Sequence, residues 1–265
     1  MATLTRITPT ALAKRLLKVA QVFLMLDYDG TLVPLAPTPA QARPSAELLR
    51  ILKKLGGLPH YKVAVISGRT LSDLANLLPV PGIFLIGGHG VEVRSPAGEV
   101  TYLLDHKHIT KIINKLEQLA RYCLNDKKGF LLENKGYSLA LHYRLAQPSM
   151  VQGVLNKFME LSKPLVKKHD LNILLGKKVL EIRPSAIHKG KAVSYLQQLY
   201  PHSLAVYFGD DTTDEDAFRA LKEGLSILVS PRNRVSAAKF KLNSPLEVLK
   251  FLTFLLEKKE MKNTG

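Results

Sequence analysis

Val22-Phe23-Leu24-Met25-Leu26-Asp27-Tyr28-Asp29-Gly30-Thr31-Leu32 is the stretch that decides the fold. Val22 to Leu26 is an unbroken apolar run, too short for a membrane span and suited to a strand buried on both faces. It stops at two carboxylates, Asp27 and Asp29, two positions apart. At the end of a parallel strand such a pair points into the crevice where open α/β sheets bind ligands. Gly30 allows a sharp turn just beyond, and Thr31 adds a hydroxyl to the same mouth. Carboxylates this close repel unless something positive lies between them, which implies a hard divalent cation such as Mg2+.

The same pattern recurs outward from this stretch. Val63 to Ile66 is a second apolar run, ending at Ser67-Gly68-Arg69, and Ile83 to Ile86 a third, ending at Gly87-Gly88-His89-Gly90. Leu204 to Phe208 ends at Gly209-Asp210-Asp211, and Ile227 to Val229 is a fifth run. Helical stripes lie between them: Thr10 to Ala20, Ser45 to Leu55 stopped by Gly56-Gly57, Leu71 to Leu78, and a last helix begun by Ser244-Pro245-Leu246-Glu247. Strands alternating with helices predict a Rossmann-like α/β core with a parallel sheet and helices on both faces. The polar strand ends then gather along one edge. Val33 to Pro39 carries three prolines and reads as a loop.

Between the third and fourth runs the pattern changes. Ile109 to Cys123 keeps helical spacing, and Phe130–Glu133 and Tyr137–Tyr143 flank a hairpin turn at Asn134-Lys135-Gly136. A helix over Met150 to Leu161 follows, then a second hairpin, Leu171–Leu175 and Lys178–Ile182, turning at Gly176-Lys177. This predicts an inserted α/β cap with a mainly antiparallel sheet over residues 100–184, within a core formed by 1–99 and 185–265.

The 265 residues suffice for one large core with a smaller insertion. No apolar stretch reaches the roughly 20 residues of a spanning helix, so no membrane partner is expected. Cys123 is the only cysteine and falls on an apolar helical stripe, which fits a reduced, cytoplasmic protein. The net charge is +16. Residues 105–184 hold 15 Lys+Arg against 7 Asp+Glu, scattered as singles and pairs without a stacking-aromatic stripe. That argues against a nucleic-acid partner and for a solvated surface that at most attracts anions. The chain before Asp27 has no acid, a composition shared with transit peptides, but its helical stripe leads directly into the first strand.

Asp27-Tyr28-Asp29-Gly30-Thr31-Leu32 resembles the nucleophile motif of the haloacid dehalogenase superfamily, whose phosphatases pass through an aspartyl-phosphate. In that chemistry Asp27 is the nucleophile and Asp29 the acid toward the leaving alcohol, then the base toward water. Ser67 donates to a phosphoryl oxygen with Arg69 in support. Lys189 opens a helix whose N-terminus also faces an anion. The run Gly209 to Asp216 carries four Asp and one Glu in seven positions and asks for a cation. Asp210 is assigned as a direct ligand with Asp27 and the Asp29 carbonyl, and Asp214, with Asp211 as a further candidate, acts from behind or through water.

A closer resemblance is to the trehalose-6-phosphate phosphatases. It rests on Ile66-Ser67-Gly68-Arg69, Gly87-Gly88-His89-Gly90, Leu139 to Arg144, Gly176 to Pro184, Lys189-Gly190-Lys191-Ala192 and Gly209 to Phe218, in order over residues 22–230. The resemblance implies a Mg2+-dependent phosphatase acting on a sugar phosphate in trehalose biosynthesis; the sequence itself does not decide the oligomeric state, and a monomer is the simplest expectation. It also implies sugar contacts from Glu133, Lys135, Lys177 and Glu181 in the cap and from His89 in the core. The alternatives are a capped phosphatase for sucrose 6-phosphate or a glucosyl- or mannosyl-phosphoglycerate, or a phosphosugar mutase. His188 departs from the family pattern without touching a catalytic position.

Overall fold

The computed structural model describes residues 4–263 except 177 and 222, so Lys177, expected to touch the sugar, lies outside the described residues. The chain divides into two compact units, Met1–Leu103 with His188–Gly265, and Leu104–Ile187.

The first unit opens with β1 (Thr5–Arg6), α1 (Pro9–Leu16), β2 (Val22–Asp27), α2 (Ala46–Gly56), β3 (Tyr61–Ile66), α3 (Leu71–Leu77), β4 (Phe84–Gly87), β5 (Glu92–Arg94) and β6 (Val100–Tyr102). The second unit comprises α4 (His106–Leu124), β7 (Leu131–Asn134), β8 (Leu139–His142), α5 (Pro148–Lys168), β9 (Leu171–Gly176) and β10 (Val179–Pro184). The first unit resumes with α6 (Lys189–Leu199), β11 (Leu204–Gly209), α7 (Glu215–Ala220), β12 (Leu225–Val229), β13 (Phe240–Leu242) and α8 (Pro245–Asn263).

The sheet of the first unit has, among the described residues, the order β1-β13-β12-β11-β2-β3-β4-β5-β6. It is parallel from β1 to β4 and antiparallel across β5 and β6. All six residues of β2 are buried. Leu24 and Leu26 join the core under α1, α2 and α8, and Phe23 and Met25 join the core under α6 and α7. A strand buried on both faces has no polar position until it ends, which is why its first carboxylate is Asp27. The chain runs from β2 to β3 and β4 on one side and returns through β11 to β13 on the other. The sheet therefore switches direction beside β2, where ligand crevices form.

The helix ends follow from sequence. Thr8, Ser45 and Thr70 cap α1, α2 and α3 by accepting from backbone N–H groups at the third position beyond. The Glu247 carboxylate reaches back to the N–H of Asn243 at 2.7 Å at the start of α8.

In the second unit the strand order is β7-β8-β10-β9, all antiparallel. Leu139, Leu141, Leu180 and Ile182 face a core shared with Ile112, Ile113, Leu116 and Cys123 of α4 and with Val154, Leu155 and Phe158 of α5. Burial raises the pKa of the Cys123 thiol, which leaves it an unreactive packing group. Gly136 turns the first hairpin at φ 80°, and its N–H donates to the Asn134 side chain at 2.8 Å.

The structure differs from the sequence reading in short elements and in helix lengths, and α1 stops at Leu16 where Ala20 was expected. β1, β5, β6 and β13 are two or three residues long and carry no periodic signal. Val100–Tyr102 pairs with β5, so the second unit starts at Leu104 where residue 100 was expected, and it runs on to Ile187 where 184 was expected. Helix α5 continues from Leu161 to Lys168 through Pro164, because Leu165 and Val166 pack on the core of that unit and offset the one lost backbone bond. No helix among the described residues is long and apolar enough to cross a membrane.

Candidate active site

Asp27 ends β2 and is 3% exposed. Its Oδ1 accepts from Lys189 Nζ at 2.6 Å. Lys189 is the first residue of α6, equally buried, and also donates to Asp214 Oδ1 at 2.7 Å. Asp214 Oδ1 accepts in addition from the Tyr207 hydroxyl at 2.6 Å, while Oδ2 accepts from the N–H groups of Asp210 and Asp211 at 3.0 and 2.9 Å. Each Asp214 oxygen thus takes two hydrogen bonds, which fills its lone pairs. Asp214 clamps the loop and the ammonium and does not offer a free ligand atom.

Asp210 follows β11, and its carboxylate lies against Gly30. One oxygen each of Asp27, Asp210 and Asp214 lie within 4.8 Å of one another. Gly30 has φ 84°, and a Cβ there would sit 2.1 Å from Asp210 Oδ2. A Cβ on Gly209 would sit 2.3 Å from Asp214 Cγ. Both glycines are therefore required by close approach, not only by turn geometry. Thr31 Oγ1 reaches Asp210 Oδ1 at 3.5 Å.

Burial pushes the Asp27 carboxyl well above its ordinary range; Lys189 pulls it back, and the Asp214 and Asp210 carboxylates push it further up. Burial and then Asp214 raise Asp210 to about 6. For Lys189 burial favours the neutral amine, but Asp214 and Asp27 outweigh it and hold the ammonium. One ammonium does not balance three carboxylates. A cluster of carboxylate oxygens with surplus negative charge suits a hard divalent cation, which Asp27 and Asp210 could hold. Asp211 turns its carboxylate to the N–H of Thr212 at 2.7 Å and serves as a local cap.

This surplus has a measurable consequence for stability. Asp210 binds its proton more tightly in the folded, metal-free protein, at about 6, than at the ordinary 3.8. Its stabilising contribution is full below the lower value and is lost as pH rises through the higher one. Thermal unfolding in EDTA should therefore show a Tm that falls between pH 4 and 6.5 relative to Asp210→Asn. A divalent cation should restore the Tm at pH 7.5 in the parent only. A parent and variant with parallel pH profiles would contradict the assignment.

Asp29 is held elsewhere in the mouth. Arg69 Nε and Nη2 donate to its two oxygens, both at 2.7 Å, and the guanidinium lies over the Tyr28 ring at 5.2 Å. Arg69 was expected to assist phosphate; in the structure it grips the second aspartate. Ser67 is 1% exposed, and its Oγ accepts from the Arg69 N–H at 3.2 Å, which leaves its hydroxyl proton to donate. His89, at φ 57°, lies against Gly68, where a Cβ would come within 2.5 Å of the imidazole. Asp27, Asp29, Ser67, Arg69, His89, Asp210 and Asp214 thus stand at or just after strand ends of the first unit, and Lys189 at the start of α6 in the same unit.

Glu133, Lys135 and Glu181 belong to the second unit. Glu133 and Glu181 both pair across Ala140, so they share the face of that sheet turned away from α4 and α5. His142 Nε2 lies 3.0 Å from Glu133 Oε2, and Lys135 Nζ lies 3.8 Å from Oε1. The hydrogen bond from His142 leads the effects that lower the Glu133 pKa. This face is not uniformly polar surface as its alternation suggests, since Ser138 and Ala140 are buried.

Sequence reasoning missed Tyr207, Glu215 and Arg234. Tyr207 sits inside an apolar strand and looks like core, and only the hydroxyl's contact with Asp214 sets it apart. Glu215 was read as one more acid of the loop, but it accepts from Ser236 Oγ and the Ala237 N–H, both at 2.8 Å, and pairs with Arg234 at 2.9 Å.

Comparison with known proteins adds the following. A family model described as Trehalose-phosphatase matches residues 25–245. An Arabidopsis thaliana protein named probable trehalose-phosphate phosphatase H is 30% identical over 263 residues, covering 92% of this chain and 74% of that one. The C-terminal domain of C. albicans trehalose-6-phosphate phosphatase matches the structure with a TM-score of 0.81 at 27% identity, over 97% of this chain and 99% of that one. A haloacid dehalogenase-like hydrolase from Bacteroides thetaiotaomicron matches with a TM-score of 0.63 at 17% identity, over 88% and 98% of the two chains, which extends the likeness of fold alone.

Proposed function

Because the chain belongs to the trehalose-phosphatase family, we propose that it hydrolyses trehalose 6-phosphate to trehalose and phosphate, with Mg2+ as cofactor and one chain as the working unit in a reducing cytoplasm. The observation that carries this reading is the buried Asp27–Lys189–Asp214 chain set beside Asp210 at the strand ends. Such a site supplies what phosphoryl transfer asks of a protein, a fixed nucleophile and fixed charge around the equatorial oxygens. Asp27, Asp210 and the Asp29 carbonyl would hold Mg2+, which would supply further positive charge to the phosphoryl oxygens.

The chain's own residues perform the rest. Lys189 holds one Asp27 oxygen and fixes the plane of the carboxylate, so that the other oxygen attacks phosphorus. As that P–O bond forms, the bond to the sugar oxygen breaks, and Asp29 delivers its proton to the departing oxygen. Asp29 then takes a proton from water, whose oxygen attacks phosphorus, and the bond to Asp27 breaks. Arg69 holds both Asp29 oxygens and so fixes where this carboxyl sits through both halves. Ser67 donates its free hydroxyl proton to a phosphoryl oxygen.

Sugar recognition is assigned to Glu133, Lys135 and Glu181, with Lys177 and His89. A panel of trehalose 6-phosphate, sucrose 6-phosphate and glucosyl- and mannosyl-phosphoglycerate, assayed for phosphate release with Mg2+ or EDTA, tests the reading. Preference for trehalose 6-phosphate with loss in EDTA is expected; equal rates across the panel, or activity in EDTA, would refute it. Transfer of phosphate to sugar with none released would indicate a mutase.

The cap assignment makes a separate prediction. Glu133→Ala should lower kcat/KM for the disaccharide phosphate about 100-fold and leave p-nitrophenyl phosphate turnover nearly unchanged, since a small ester cannot use sugar-binding energy. Equal losses on both substrates would mean that Glu133 supports the sheet and does not read sugar.

A further inference from the structure

The peptide groups of Asp210 and Asp211 are gripped from two sides. Asp214 Oδ2 accepts both of their N–H groups, as described above. On the carbonyl side, Arg234 Nη2 donates to Asp210 O at 3.3 Å and to Asp211 O at 3.0 Å. Its other terminal nitrogen, Nη1, pairs with Glu215 Oε1 at 2.9 Å. The segment that carries Arg234 is itself anchored. Glu215 accepts from Ser236 and Ala237, and Lys241 Nζ donates to Asn233 Oδ1 at 2.8 Å and to Pro231 O at 3.3 Å. Arg234, Glu215, Ser236, Asn233 and Lys241 take no part in the chemistry derived above, and Arg234 lies in an irregular stretch after β12.

We propose that Arg234 is a positioning residue for the cation: its planar fork fixes the backbone from which Asp210 projects, so the carboxylate is preset for a divalent ion before the ion arrives. The proposal rests on the metal-dependent reading of the site. Its sign distinguishes it from a simple charge effect. An arginine near a divalent site repels the ion, so removing it for charge reasons alone would tighten binding. A preset loop that loses its brace binds the ion more weakly, by about 10-fold for an outer partner of a metal ligand. Arg234→Lys separates the two, since it retains the charge but cannot reproduce a fork that spans two carbonyls and a carboxylate.

The experiment titrates Mn2+ into metal-free parent, Arg234→Lys, Arg234→Ala and Asp210→Asn proteins, following free Mn2+ by electron paramagnetic resonance. Circular dichroism melts establish folding, and if Arg234→Ala does not fold, Arg234→Lys decides. Both Arg234 variants should bind Mn2+ about 10-fold more weakly. Their Mg2+ requirement for phosphate release should rise by a similar factor, with KM for the sugar phosphate at saturating Mg2+ unchanged. Parent-like or tighter Mn2+ binding in the Arg234 variants, alongside loss in Asp210→Asn, would overturn this proposal and leave the metal site standing. A parent protein that binds no Mn2+ would overturn both.

Discussion

Asp27→Asn is expected to reduce phosphate release from every substrate by at least about 10,000-fold, the scale for loss of a covalent nucleophile. The carboxamide keeps the shape of the side chain and can still accept from Lys189, so the protein should remain folded. What it loses is the anionic oxygen that forms the bond to phosphorus. In metal-free protein the change also removes a buried carboxylate that burial and two neighbouring acids disfavour. The variant should therefore melt no lower than the parent in EDTA at pH 7.5. Assay of phosphate release together with a melt checks both halves. An inactive and destabilised variant would point to a structural role for Asp27.

Lys189→Met should damage both stability and rate. The ammonium lies 2.6 Å from one buried carboxylate and 2.7 Å from another. Removing it leaves two desolvated acids facing each other, a loss of about 3–5 kcal/mol by analogy with broken buried ion pairs. Asp27 loses the one partner that lowers its pKa, so its folded value rises further above the ordinary one. The penalty is then greatest above that raised value and shrinks as acid protonates Asp27. Urea unfolding in EDTA should show a large drop in midpoint at pH 7.5 and a smaller one at pH 5. Turnover with Mg2+ should fall by about 100- to 1,000-fold, as for loss of one group that stabilises developing charge. An unchanged urea midpoint at pH 7.5 would contradict the buried pair.

These two residues were legible because of where they stand in the sequence. Asp27 is the first polar residue after a run buried on both faces, and Lys189 opens a helix directly after the insertion. Ser67 and Asp210 are marked in the same way, as polar residues that follow apolar strands. Interactions between distant segments were not legible. Arg69 and Asp29 are 40 positions apart, and nothing in Ser67-Gly68-Arg69 says that the guanidinium will meet the second aspartate before it meets a phosphate. Tyr207 has the composition of a core residue, and Arg234 sits in a stretch with no period at all. The short strands β5, β6 and β13 escaped for a related reason: three residues are too few to show alternation, and pairing alone makes them strands.

The central claim is that phosphate passes through Asp27 on its way to water. In Asp29→Asn the base for the second step is gone, while an activated ester such as p-nitrophenyl phosphate needs little protonation in the first. Rapid acid quench of that variant with p-nitrophenyl phosphate and Mg2+, followed by peptide mass spectrometry, measures the intermediate directly. The account predicts a phosphate mass on the peptide containing Asp27, absent in EDTA and absent when Asp27→Asn is added. Phosphate on any other residue, or product release with no labelled Asp27 at any quench time, would contradict it.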